Sequence, residues 1–136
     1  MMYKNMNVIA IFDRTGEKLL VCRRRKEPFK GLLNLVGGKI EDGEDGLAAA
    51  YRELWEETGI TGAEVELVHM MDFAWHLDRM RMEVYYGFLK EDFSVHGEEN
   101  ELLWIERRQN YHDGTKFAGY GNLGHIVSLI EKYEGL

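Results

Sequence analysis

One segment of this chain reads as helix and as little else. From residue 45 to about 58, Leu47, Ala50, Tyr51, Leu54 and Thr58 recur at helical spacing, and Gly59 stands where a left-handed C-terminal cap belongs. The runs on either side are strand-like, so a chain of this pattern has to lay its helices on a sheet. Ahead of the helix come "NVIAIF" and "KLLVCRR", joined by the turn "DRTGE"; then a loop, "EPFKG", around the only proline; then a short strand, "LNLV", running into Gly37-Gly38. After it come "AEVELVHMMDFAW" and "MRMEVYYGFLK", with "HLDR" as the turn between them. In the second, Met82, Val84 and Tyr86 alternate with Arg81, Glu83 and Tyr85. An acidic loop, "HGEENE", leads to the strand "LLWIE", and "YGNLGHIVSLIEKY" closes as an amphipathic helix with Leu123, Ile126, Val127 and Ile130 on one side. The order βββαβββα with antiparallel hairpins predicts an α+β fold, a mixed β-sheet flanked by helices.

The 136 residues suit one domain, 1–136, with a real core. There are no repeats and no linker. Cys22 is the only cysteine and cannot form an internal disulfide; a buried thiol in a reducing cytoplasm is the expectation. The apolar run "VIAIF" is short and stops at Asp13, which fits neither a signal segment nor a membrane span. A net charge of −7 argues against stable nucleic-acid binding through a basic surface. It leaves room for a small anion, because Arg23, Arg24, Arg25, Lys26 and Lys30 are clustered, with Lys39 just after. The plain reading of such a run is a solvated face.

The helix carries a puzzle. Glu53, Glu56 and Glu57 lie within five positions of one another, and like charges at such spacing destabilise a helix. On a helical wheel they fall roughly opposite the apolar stripe, together with Gly46 and Ala49, whose small side chains leave space on the preceding turn. Glutamate-rich faces are commonly mere solvated surface. Here no lysine stands at i+4, and Arg52, the only basic residue of the helix, is spaced to reach Glu56 alone. A glycine inside a helix costs about 1 kcal/mol relative to alanine, so Gly46 asks for a reason, and close approach of a ligand would be one. Three otherwise unpaired carboxylates are what a hard divalent cation takes: Mg²⁺, or alternatively Mn²⁺.

Gly38, five residues, Glu44, seven residues, then Arg52-Glu53-Leu54-Trp55-Glu56-Glu57-Thr58-Gly59-Ile60 resembles the Nudix box at each of its fixed positions, across residues 38–60. The resemblance implies a Nudix-type α/β/α sandwich and an enzyme that hydrolyses a nucleoside diphosphate linked to another group. It implies Glu53, Glu56 and Glu57 as metal ligands, with Gly38 adding its backbone carbonyl. Glu44 and Arg52 would pair to brace the helix, and Gly59 would end it. Such a reaction drives water onto a phosphorus screened by anionic oxygens, which bound metal ions neutralise. A carboxylate then takes the proton. Glu53 or Glu56 could do so; in some members the base lies on a distant loop, and Glu98 of "HGEENE" is the residue expected here.

The residues before the box resemble the MutT-type subgroup, which removes oxidised purine nucleoside triphosphates. The carriers are the basic pair Arg23-Arg24 and the "GGK" of Gly37-Gly38-Lys39. Asn34 and Asn122 match base-reading positions in two branches of that subgroup; as plain structure they would be a turn and a helix N-cap. Val36 and Leu33 depart from the proline and tryptophan usual in close relatives. Phe73, Trp75 and Tyr120 could stack on a base, although strand aromatics commonly belong to a core. The expected activity is Mg-dependent cleavage of a nucleoside triphosphate, 8-oxo-dGTP being one candidate, to monophosphate and pyrophosphate. The alternatives are a Nudix hydrolase of ADP-ribose, a nucleotide sugar, a dinucleoside polyphosphate or an RNA 5′ end, and a non-catalytic nucleotide-binding module. The partner expected is a small nucleotide, with no membrane, for a monomer or homodimer.

Overall fold

The computed structural model describes residues 2–97 and 99–136. Its elements are β1 Lys4–Phe12, β2 Lys18–Arg23, β3 Leu33–Asn34, α1 Gly46–Thr58, β4 Val68–Trp75, β5 Met80–Phe88, β6 Glu101–Glu106 and α2 Asn122–Glu134. β1–β2 and β4–β5 are the antiparallel hairpins, and β6 runs antiparallel along the whole of β2. The long-range join is parallel: β1 lies beside β5 from Lys4↔Met80 to Phe12↔Phe88. Together they make one mixed, six-stranded sheet.

Strand alternation sends one set of side chains to each face. Ile9, Ile11, Leu20 and Cys22 pack with Ala50 and Leu54 of α1. Ala10, Phe12, Leu19 and Val21 pack with Leu123, Ile126, Val127 and Ile130 of α2. The sheet is therefore the middle layer of an α/β/α sandwich. Because both faces are covered, Val84, Tyr85 and Tyr86 are all buried despite pointing to opposite sides. Burial pushes the Cys22 thiol up to about 11, which leaves it inert. Among the described residues no helix is long and apolar enough to cross a membrane.

An irregularity between β1 and β2 makes the site. β1 and β2 are paired only at Phe12↔Leu19 and then diverge. Residues 33–39 run into the gap: Leu33 and Asn34 pair with β2, whereas Val36 and Lys39 bridge back to Ile9 and Met6 on β1. The loop that leads to α1 is thereby stitched into the sheet. Gly37 is the tight point. Its φ is +148°, and a Cβ on it would run into the backbone carbonyl oxygen of Asn7.

Two expectations change. β4 begins at Val68 rather than near Ala63, because the Thr61 N–H and hydroxyl both donate to Glu64 Oε1 and close a turn there. The buried stripe of α1 is also rotated from the one the apolar residues suggest. Leu47 is 43% exposed whereas Ala49 is fully buried. The cause is close packing of the helix on β5: a Cβ on Gly46 would collide with Glu83 Oε1 and lie 2.9 Å from the Tyr85 hydroxyl. Gly46 and Ala49 are contact points with the sheet. They do not leave space for a ligand.

The same geometry yields a stability test. Gly37→Ala should cost about 3 kcal/mol through a backbone clash and a disfavoured φ. Gly43→Ala, at φ +78° with nothing within 4 Å, should cost about 1 kcal/mol. Urea unfolding of the two variants measures the contrast; equal losses would contradict the close approach at Gly37.

Candidate active site

α1 is set by its two ends. Asp45 caps the first turn, its Oδ2 accepting the Ala48 N–H at 3.0 Å, and Gly59 ends the helix in the left-handed region with φ +82°. The rotation of the helix toward β5 carries Glu53 and Glu57 onto the flank of the buried face rather than opposite it. Glu53 keeps 13% of its side-chain exposure, and Glu56, farther round, keeps 48%. The carboxylate of Glu53 lies against Gly38, where a Cβ would come 2.5 Å from its Cδ. Glu57 accepts the Gly37 N–H at 3.0 Å. Two box carboxylates are thus pinned against the glycine pair of the loop.

Arg52 organises the rest. Its Nε and Nη2 fork onto Glu44 at 2.7 and 2.9 Å, Nη2 also reaches the Lys39 carbonyl at 3.0 Å, and Nη1 meets Glu53 at 3.1 Å and Glu56 at 3.3 Å. Spacing pointed to Glu56 alone; the folded side chain reaches three glutamates, because it lies flat along the loop. The fork holds Glu44 far below the usual carboxylate range, at about 2, and raises Arg52 further still. Burial acts the other way on the ligand candidates. It raises Glu53, and it pushes Glu57 up to about 7, with the Gly37 N–H opposing and Glu53, Glu99 and Glu56 adding repulsion.

Two clefts meet at Glu57. One, of about 380 Å³, has Glu53, Trp55, Glu56, Glu57, His96 and Glu99 among its walls. The other, of about 390 Å³, runs from Glu57 and Glu99 to Leu35 and the cationic Arg24, Arg25 and Lys26. His96 is tied to the helix end: its N–H donates to the Thr58 carbonyl at 3.1 Å, and its Nε2 would lie 2.7 Å from a Cβ on Gly59. A side chain at position 59 would meet the His96 ring and would have to adopt the left-handed φ of +82°.

The donor set fits a hard divalent cation in kind: carboxylate oxygens, partly desolvated, with Glu57 crowded by three other acids. Among the described residues no three acidic, histidine or cysteine side chains are already gathered at coordination distance. Arg52 holds Glu53 and Glu56 instead.

A family model described as NUDIX domain matches residues 3–109. This chain belongs to the Nudix family. It is 32% identical over 95 residues to an ADP-ribose pyrophosphatase of Bacillus subtilis, covering 70% of this chain but 49% of that protein, so the chain spans about half its length. It is 32% identical over 102 residues to a CTP pyrophosphohydrolase of Escherichia coli, covering 71% of this chain and 72% of that one. The solved Ap4A hydrolase of Caenorhabditis elegans superposes with a TM-score of 0.77 at 17% identity, covering 96% of this chain and 98% of that one. That coverage reaches past residue 109, so the shared fold extends beyond the residues matched by the family model.

Of the other residues singled out from the Nudix sequence pattern, Arg24 lines the cationic cleft. Arg23, one step along the strand, faces elsewhere and contacts Gly31 and Glu101. Lys39 is exposed, and its backbone rather than its ammonium takes part, through Arg52. Asn34 spends its Oδ1 on the adjacent Leu35 N–H. Asn122 is the first residue of α2, and Gly121 rather than Asn122 occupies the cap position. Neither asparagine lines the two clefts. Phe73 packs partly into the α2-side core, whereas Tyr120 is 91% exposed. Glu98 lies outside the described residues; its neighbours Glu99 and Asn100 line both clefts. Arg25 and Lys26 are the residues that sequence reading named only as part of a basic run; they lie beyond the end of β2 at Arg23, where strand alternation no longer says which way a side chain points.

The low-lying Glu44 carboxyl makes a signed prediction. A carboxyl held below its unfolded value of 4.5 lends stability that is complete above that pH and lost as pH falls toward 2. Wild type should therefore exceed Glu44→Gln in urea midpoint at about pH 6, and the gap should shrink as pH falls below about 4 and close near pH 2. A gap independent of pH would break the assignment.

Proposed function

We propose that this chain is a divalent-metal-dependent pyrophosphohydrolase that cleaves a nucleoside triphosphate to its monophosphate and pyrophosphate. The observation that carries this reading is the cleft whose two sides differ in sign, with Glu57 and Glu99 at one end and Arg24, Arg25 and Lys26 at the other. A polyphosphate chain needs both: cations to hold its outer oxygens, and an acidic wall that binds metal at the bond to be broken.

Glu53, Glu56, Glu57 and the Gly38 carbonyl are the groups that would hold the metal, which when bound supplies charge neutralisation and an acidified water. The chain's own residues do the remainder. Arg24, Arg25 and Lys26 bind and orient phosphate oxygens. Arg52, anchored on Glu44 and Lys39, keeps α1 at a fixed distance from the loop. A carboxylate would take the proton of the attacking water: Glu98 is the sequence choice, and its sequence neighbour Glu99 is a described acid at the shared wall. The CTP pyrophosphohydrolase relative, matched over most of both chains, supports a triphosphate substrate. The Bacillus ADP-ribose pyrophosphatase favours a second reading, a diphosphate linkage between two sugars. The purine-reading role assigned to Asn34 and Asn122 has no support from the clefts, so an oxidised purine is one triphosphate among several.

A nucleotide panel with Mg²⁺ tests this. Turnover of at least one triphosphate is expected, Glu57→Gln should lower kcat by about 100-fold or more, and Arg24→Ala should raise KM by about 10-fold. In EDTA the Gln variant should melt no lower than wild type, and Mg²⁺ should raise the melting temperature of wild type alone. Hydrolysis of ADP-ribose with no triphosphate turned over would overturn the triphosphate reading.

A further inference from the structure

Asn7 is out of place by the logic of its strand. The positions that follow it on the same face of β1, Ile9 and Ile11, are apolar and pack in the α1-side core, and Asn7 is only 1% exposed. What it holds is Gly38. The Asn7 backbone N–H donates to the Gly38 carbonyl at 2.8 Å, and the Gly38 N–H donates to Asn7 Oδ1 at 2.9 Å. One residue thus secures both backbone polar groups of the first glycine of the box.

That contact uses half of the amide. Nδ2 is buried and has no hydrogen-bond partner among the described residues. A buried donor left unpaired is costly, and native structures rarely keep one without a use for it. Exchanging the two ends of the amide brings no relief, since it would set two N–H groups against each other at Gly38. Two carboxylates border the position. Glu83 stands opposite Asn7 in the parallel ladder, but its Oε1 already takes the Tyr85 hydroxyl at 2.5 Å and is packed beneath Gly46. Glu53 lies against Gly38 from the helix side, so close that the glycine cannot carry a side chain. Its one neighbour among cations is Arg52, through Oε1.

We infer that Asn7 is a positioning residue: it locks the Gly38 carbonyl through its backbone and Oδ1, and its Nδ2 is the donor that holds the Glu53 carboxylate when a divalent cation is bound. Ligating carboxylates are ordinarily fixed by a second hydrogen bond from outside the coordination sphere. A neutral amide can give that bond without competing with the cation, as a lysine or arginine would. An apolar residue in its place would leave the Gly38 N–H unpaired. The inference rests on the reading of the box as a cation site given above.

The experiment follows the cation without substrate. In ¹⁵N-labelled wild-type protein, adding Mg²⁺ should shift the Asn7 side-chain amide resonances together with the backbone signals of Gly38 and Glu53, and should slow the exchange of the Asn7 side-chain protons. Asn7→Asp keeps an acceptor for the Gly38 N–H and replaces the donor by a second oxygen. Mn²⁺ binding, read by electron paramagnetic resonance, should weaken about 10-fold in this variant, although simple addition of negative charge would strengthen it. Its kcat should fall with KM little changed. Asn7 side-chain resonances that stay fixed while those of Gly38 and Glu53 move, or an Asp variant that binds Mn²⁺ as tightly as wild type, would overturn the inference and leave the cation site standing. If wild type bound neither ion, the cation reading and this inference would fall together.

Discussion

A single guanidinium makes the acidic face of α1 possible. Arg52 touches Glu44, Glu53, Glu56 and the Lys39 carbonyl at once, and only arginine, with its planar fork of donors, can divide itself in this way. Its energetic role is less that of a salt bridge than of a spacer. Exposed ion pairs contribute little, but a fork anchored to both the loop and the helix fixes their separation. Charge counting then shows what is left over. One positive group faces three carboxylates, and Glu57, on the next turn, has a backbone N–H as its partner. The surplus is negative, and Glu57 and Glu99 carry it to the wall that both clefts share.

The second constraint is proximity. Gly37, Gly38, Gly46 and Gly59 each stand where another group has come too close for a side chain: the Asn7 carbonyl, the Glu53 carboxylate, Glu83 and the His96 ring. These four contacts set the loop against β1, the loop against the helix, the helix against β5, and His96 against the helix end. The site is consequently built on the sheet rather than hung from flexible loops, which suits chemistry that needs charges held in place before the substrate arrives.

How much of this could be read from residues alone depended on range. The helix, its cap glycine and the strand order were legible because they are local patterns of period and turn chemistry. The box spacing identified Glu44, Arg52 and the three glutamates as a unit, and the fold brings Glu44 and Arg52 together. The rotation of α1 was not legible, since Leu47 and Ala49 exchange their expected environments in response to Glu83 and Tyr85, more than thirty residues away in the chain. Gly46 drew notice for the right physical reason and was given the wrong neighbour. Arg23 and Arg24 look like a pair in the sequence but point to opposite sides of a strand end, as the two-residue period requires. Asn7 carried no signal at all, because an asparagine in an apolar strand acquires its meaning only from the glycine it meets thirty-one positions later.

The distribution of charge has a kinetic consequence. At a net charge of −7 the molecule repels a free nucleotide at long range, yet the screening length at physiological salt is only about 8 Å. Outside that distance the repulsion is weak; inside it, what counts is which wall the phosphates meet. Arg24, Arg25 and Lys26 occupy one side of the cleft, so an anion is drawn in along the basic rim and halted before the glutamates. In the reaction proposed above, a nucleotide already complexed with a divalent cation would carry less charge and bring to those glutamates the ion that neutralises them. Under that proposal, opposed walls of this kind would favour the metal complex over the free anion without any contact to the base, and recognition of a base would be a separate task for residues outside the acidic cluster.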